Sequence, residues 1–148
     1  MDSIKKNLEI SYRSYSAYHE HPVNKWINIF CAPLIFSSSV QILSEAGVHE
    51  YFLWTVGSLF AGSHCIFKPV PGLLYLPLMY SYFRLALSGF YGSIVWQVWF
   101  GGRVAQIIGN LFFEEKRPAL IGFQAVYSEV FFVWIQFLIS IGLLPRDG

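Results

Sequence analysis

The sequence predicts an all-α fold, an integral membrane helical bundle of about five transmembrane helices preceded by an N-terminal amphipathic helix. Three observations lead there. Of the 148 residues, 55% are apolar, 19% aromatic and only 13% charged, with a mean hydropathy of +0.47. A soluble domain of this size lacks the core volume to bury so many aromatic side chains, so lipid has to cover much of the surface. Apolar runs approaching the length needed for about 30 Å of hydrocarbon recur along the chain. Finally, residues 106–120, Q-I-I-G-N-L-F-F-E-E-K-R-P-A-L, begin as an apolar helix with Gln106 and Asn110 on one face and end in a charged tetrad closed by Pro118. That is the pattern of a membrane helix meeting water.

Residues 1–21 carry Lys5, Lys6 and Arg13 with Leu8, Ile10, Tyr12, Tyr15 and Tyr18 between them, an amphipathic segment expected to lie at the interface with its tyrosines at headgroup depth. The other reading of the segment is a solvated tail. It does not have the pattern of a signal peptide. Pro22 and Asn24 open a first span over about residues 23–44, and residues 45–50 form a polar turn. A second span covers about 51–67, near the lower length limit for a crossing. Lys68-Pro69-Val70-Pro71-Gly72 is expected to break it, and a third span starts at about 73. The apolar stretch to Phe113 is too long for one crossing, so Gly89-Phe90-Tyr91-Gly92 is taken as the link between spans at about 73–89 and 93–113. A fifth span runs over about 119–144. The whole chain, 1–148, reads as a single domain without repeats.

Five spans put the termini on opposite faces. Lys5, Lys6, Arg13, Lys25, Lys68, Lys116 and Arg117 then share the N-terminal side, against Arg146, Glu45 and Glu50 on the other, so the N-terminus faces the cytosol or, in a mitochondrion, the matrix. A formal charge of +1 gives no field for nucleic acid. Cys31 and Cys65 sit in apolar runs without metal or redox spacing and read as packing thiols. Most of the aromatic side chains are expected to face lipid or the interface. Gly101-Gly102 is expected to allow close helix approach. No Ser-His-Asp or Cys-His arrangement can be assembled at one depth, and the paired broken helices of a transporter are missing.

The topology brings polar groups to one depth. His19, Glu20, His21, Asn24 and Asn28 lie at the N-terminal-side end of the first span, and Gln106, Asn110 and Glu114 lie at the same face on the fourth. A shared polar pocket is one consequence. Ordinary amide hydrogen bonding between helices is the other. Arg84, Arg103 and Glu129 lie near the middle of their expected spans, where an unpaired charge costs at least about 2.5 kcal/mol. By depth Arg103 and Glu129 can pair. Arg84 is left to seek an anionic partner in another subunit or a lipid, or to snorkel.

Tyr18-His19-Glu20-His21-Pro22-Val23-Asn24, Pro33, Gln106-x-x-Gly109, Phe113-Glu114, Arg117-Pro118-Ala119-Leu120 and Gly142-x-x-Pro145-Arg146 together resemble the 2-hydroxy-palmitic acid dioxygenase family over nearly the whole chain. That family comprises small multi-span membrane proteins, typified by a fungal endoplasmic-reticulum enzyme of phytosphingosine breakdown. The resemblance implies iron(II) held by histidines and oxidative shortening of 2-hydroxy fatty acids by one carbon. The chain departs from the family pattern at the ligands. His19 stands, but Glu20, Asn28 and Asn110 occupy three positions where the family has histidine.

Amide oxygens are weak donors to iron(II), whereas imidazole and carboxylate are good ones. Two functions follow. One is a catalytically degenerate scaffold, without metal, that serves as a structural or lipid-binding subunit of a membrane complex, a respiratory one included, with lipids and other membrane subunits as partners. The alternative is an active iron(II) dioxygenase of fatty acid α-oxidation with a remodelled ligand set drawn from His19, Glu20, His21 and His64. The resemblance points to the endoplasmic reticulum; recruitment to a respiratory assembly would mean the mitochondrial inner membrane.

Overall fold

The computed structural model describes residues 2–18, 21–114 and 123–145. These residues are all-α, six helices with no strand: α1 (Asp2–Tyr18), α2 (Pro22–Glu45), α3 (Glu50–Phe67), α4 (Pro69–Leu87), α5 (Val95–Gly109) and α6 (Phe123–Ser140). A 3₁₀ turn, Gly92–Ile94, leads into α5, and a π-helical turn, Asn110–Glu114, continues it. The first residues of the expected fifth span lie outside the described residues.

Local chemistry sets the boundaries. His21 and His49 cap α2 and α3 in the same way, each ring Nδ1 accepting the backbone N–H two residues on, from Val23 at 3.2 Å and from Tyr51 at 3.3 Å. Capping of this kind satisfies a donor that has no intrahelical acceptor. Between α3 and α4 the chain breaks at Lys68 alone rather than over 68–72. Pro69 opens α4 and Pro71 sits in its first turn, where missing N–H groups cost nothing. The helix therefore starts four residues earlier than expected and ends at Leu87. That shift puts Arg84 in its exposed last turn, not at mid-helix, where a cation is favoured by the carbonyl end of the helix dipole. Gly89, at φ +70°, then takes a left-handed conformation that only glycine adopts at little cost.

Helix α6 occupies the centre. Val130, Phe131, Phe132, Val133, Ile135 and Leu138 are all buried on it, facing α1, α2, α3 and α4 in turn. The aromatic side chains divide accordingly. Phe36, Phe67, Tyr75, Phe83, Phe131 and Phe132 form core and so do not belong to the expected lipid-facing set. On α1 the stripe Leu8, Tyr12, Tyr15 docks against the bundle, Tyr12 meeting Phe132 edge-on at 5.4 Å and Phe67 at 6.4 Å. These two tyrosines thus turn toward protein instead of headgroups. Lys5, Lys6 and Arg13 are exposed on the outer face.

Helix α5 packs on α2 through two glycines. A Cβ on Gly102 would lie 2.7 Å from Ile35, and one on Gly109 would collide with the Asn24 amide. Gly101 faces open space and contributes nothing to that approach. A polar layer fastens the far end of the pair: Ser37 Oγ lies 2.6 Å from Tyr91 Oη, the Tyr91 N–H donates to Gln41 Oε1 at 3.1 Å, and Trp99 Nε1 donates to Ser39 Oγ at 3.0 Å.

Large apolar side chains stay exposed along the outer helices, among them Trp26, Phe30, Phe52, Leu59, Leu73, Phe100 and Phe112. Among the described residues one helix, α2, is long and apolar enough to cross a membrane, with 24 residues and a mean hydropathy of 1.5. By that measure the expectation of five spans is met for α2 alone. Glu50 and His64 in α3, Arg84 and four tyrosine or serine residues in α4, and Arg103 and Gln106 in α5 dilute the apolar character of their helices.

Candidate functional site

The site lies where the first turns of α2 meet the end of α5 and the second turn of α6. Positions 24 and 28 are one helical turn apart on the buried face of α2, and 106 and 110 are one turn apart on the buried face of α5. Gly109 lets the two faces come close enough for their short amides to touch. The π turn beginning at Asn110 widens the helix at that point and keeps Asn110 directed at α2.

The four amides form a continuous hydrogen-bond chain. Gln106 Nε2 donates to Asn28 Oδ1 at 2.9 Å, Asn28 Nδ2 donates to Asn24 Oδ1 at 3.2 Å and to the Asn24 carbonyl at 2.9 Å, and Asn24 Nδ2 donates to Asn110 Oδ1 at 2.8 Å. All four residues are at least 95% buried, Asn24 completely so. Gln106 also links this chain to the charged pair. Its Nε2 donates to Glu129 Oε1 at 2.7 Å while its Oε1 accepts from Arg103 Nη1 at 3.3 Å, and Arg103 Nη1 lies 3.8 Å from Glu129 Oε2. The guanidinium sits 5.8 Å from the Trp99 ring centroid. Two groupings that the sequence suggests separately, an amide cluster and an ion pair, are thus one network.

Sequence reasoning missed Tyr15. Its phenol is buried beside Glu129 and is pushed well above the usual tyrosine range, by burial first and then by the neighbouring Glu129 carboxylate and Tyr12. The signal was present in the i, i+4, i+7 spacing of Leu8, Tyr12 and Tyr15, which marks a docked face.

Other expected site residues lie elsewhere. His19, Glu20 and the side chain of Glu114 fall outside the described residues. His21 caps α2, with its ring 5.0 Å from that of Phe113. His64 is separate from the amides, buried in the core with its ring stacked on Phe131 at 4.2 Å and edge-on to Tyr75 at 5.8 Å. Its two ring nitrogens have no hydrogen-bond partner among the described residues. Arg84 is at the opposite end of the bundle.

Iron(II), which the resemblance implies, needs imidazole or carboxylate donors brought to one point. Among the described residues no three His, Cys, Asp or Glu side chains converge. The amide oxygens at positions 24, 28, 106 and 110 each already accept a hydrogen bond from a neighbour. These four amides are by themselves weak donors to iron(II). What the arrangement does chemically is satisfy buried polar groups and tie α2, α5 and α6 together.

The family model described as 2-hydroxy-palmitic acid dioxygenase Mpo1-like matches residues 5–141. The 2-hydroxy-palmitic acid dioxygenase MPO1 of Saccharomyces cerevisiae is 29% identical over 145 aligned residues, covering 89% of this chain and 80% of the yeast protein. No solved structure gives a significant match.

Proposed function

The chain belongs to the 2-hydroxy-palmitic acid dioxygenase Mpo1-like family, and from that membership we propose that it is an integral membrane protein in which an amide network has taken the place of metal chemistry. In this reading it crosses the bilayer with α2 to α6 and acts as a structural or lipid-binding subunit of a membrane assembly. One observation carries the reading. Asn28 and Asn110, where the family resemblance places histidines, are joined through Asn24 in a continuous hydrogen-bond chain. A neutral amide oxygen is a weak donor to iron(II), and each of these already accepts a hydrogen bond from a neighbouring amide. The apolar outer surface of the helices supports a lipid environment.

Elemental analysis of the purified protein is expected to find well under one iron per chain. Near-stoichiometric iron that is lost in His19→Ala would overturn this reading and install the active dioxygenase in its place. Restoring Glu20→His, Asn28→His and Asn110→His together is expected to bring iron binding back. The compartment assigned is the endoplasmic reticulum, and recovery of the protein in purified mitochondrial inner membrane would move it to a respiratory assembly. Exposed Arg84 is the residue assigned to contact with a neighbouring subunit.

A further inference from the structure

Away from the amides, a groove of about 460 Å³ opens between α2, α4 and α6. Its volume is that of a small-molecule site, a class that spans about 300–1,000 Å³. Among the described residues no charged side chain lines it, and Tyr82 brings its one hydroxyl. Tyr82 is half-buried, and that hydroxyl has no hydrogen-bond partner among the described residues. The groove also has a direction. Tyr82 is within electrostatic reach of Tyr91, which is bound to Ser37 and Gln41 in the polar layer. From that polar end the walls continue as apolar side chains, with Phe30 and Leu34 exposed at the mouth.

These walls select the occupant. Without a cation, the groove has nothing to compensate the desolvation of a carboxylate or a phosphate, so fatty acids and phospholipid headgroups are disfavoured. A neutral hydroxyl, by contrast, can donate to the Tyr82 oxygen or accept from it. The α6 wall is flat: the Trp134 and Phe137 rings lie 5.7 Å apart with an interplanar angle of 22°. Trp134 Nε1 donates to the Pro71 carbonyl at 3.2 Å, which fixes the indole and leaves its face for packing. A rigid planar body stacks on such a wall with little loss of conformational entropy, whereas a flexible chain gives up rotamer freedom along its length. We infer that the groove binds a sterol, its hydroxyl on Tyr82 Oη and its fused rings against Trp134 and Phe137. The inference names the lipid for the lipid-binding role proposed above and rests on that reading, since the mouth must open into a bilayer.

The test uses the full chain in phosphatidylcholine nanodiscs with a photoactivatable, alkyne-tagged cholesterol. Saturable labelling is expected, with the adduct in residues 29–34, 78–82 or 130–137. Unlabelled cholesterol is expected to compete, and oleyl alcohol, the same hydroxyl on a flexible chain, is not. Tyr82→Phe removes the hydroxyl alone and is expected to weaken binding by about two- to tenfold with the unfolding midpoint unchanged. Leu34→Trp fills the mouth and is expected to abolish saturable labelling. Adducts spread over the outer helices without saturation, equal binding to the parent and Tyr82→Phe, or competition by oleyl alcohol as strong as by cholesterol would each overturn the site. Should Leu34→Trp fail to fold, Tyr82→Phe and the position of the adduct decide. Carbonate extraction of the source membranes separates the two ideas. Protein released into the supernatant ends the integral-membrane reading and this inference with it, whereas protein that stays in the membrane but takes no label ends only this inference.

Discussion

Asn24 on α2 and Asn110 on the π turn, 86 positions apart, are joined by a 2.8 Å amide hydrogen bond in the buried interface of α2 and α5. Asn24 also accepts from Asn28, so it is the link through which the other amides are satisfied. Asn24→Ala leaves Asn110 Oδ1 without its donor and one Asn28 N–H without its side-chain acceptor. The expected cost is about 1–3 kcal/mol, read as a lower midpoint of thermal unfolding in detergent. A midpoint indistinguishable from the parent would mean that the amides are solvated and not locked.

Two of the three glycines on α5 separate close approach from helix propensity. At Gly109 an added methyl strikes the Asn24 amide, whereas at Gly101 it enters open space. Gly109→Ala is expected to destabilise by about 1–3 kcal/mol, and Gly101→Ala to stabilise by about 0.5–1 kcal/mol through helix propensity alone. Equal effects at the two positions would contradict the packing of α5 on α2 described above.

How much of this was legible beforehand differs from element to element. Helices rather than strands follow from long apolar runs punctuated by His-Pro, Lys-Pro and Gly-x-x-Gly, because each of those signals is local. The start of α4 at Pro69 is not legible, since a proline reads as a breaker, yet in the first turn of a helix it breaks no hydrogen bond. Polar residues 24, 28, 106 and 110 are visible as a set because their i, i+4 spacing fixes a face. Their donor–acceptor direction, and the union with Arg103 and Glu129 through Gln106, are not visible, because they depend on the distance between helices that pack through glycine. The central place of α6 is likewise a tertiary fact; its composition hardly differs from that of its neighbours.

Tyr15 makes stability depend on pH at the alkaline end. Burial first, then Glu129 and Tyr12, hold its phenol above the ordinary value near 10. Its proton is therefore kept in the folded state at pH values where the unfolded chain has lost it. The stabilisation is complete below about pH 10 and disappears as pH rises through the folded-state value. Unfolding midpoints measured from pH 8 to pH 11 should fall more steeply for the parent than for Tyr15→Phe. Parallel profiles would remove Tyr15 as the cause.

Arg84 stands exposed in the last turn of α4, without an ion pair among the described residues. Within the isolated chain its removal is expected to change stability by less than about 0.5 kcal/mol. If it contacts a neighbouring subunit, Arg84→Ala should nevertheless shift the native assembly to a smaller species on a native gel. Unaltered migration would assign the side chain to water or lipid.

His64 gives the sharpest contrast between the metal-bound and metal-free alternatives. It is 1% exposed, its ring stacks on Phe131 at 4.2 Å, and neither nitrogen has a partner among the described residues. Burying two unmatched polar atoms opposes folding. Leucine, similar in volume and wholly apolar, removes that penalty while giving up the ring stack, which is worth less. His64→Leu is therefore expected to raise stability by about 1 kcal/mol, with the iron content of the protein unchanged. A histidine that ligated iron would behave oppositely, since its loss would release the metal and lower the unfolding midpoint together. Thermal unfolding and elemental analysis of the one variant are enough to tell the two apart.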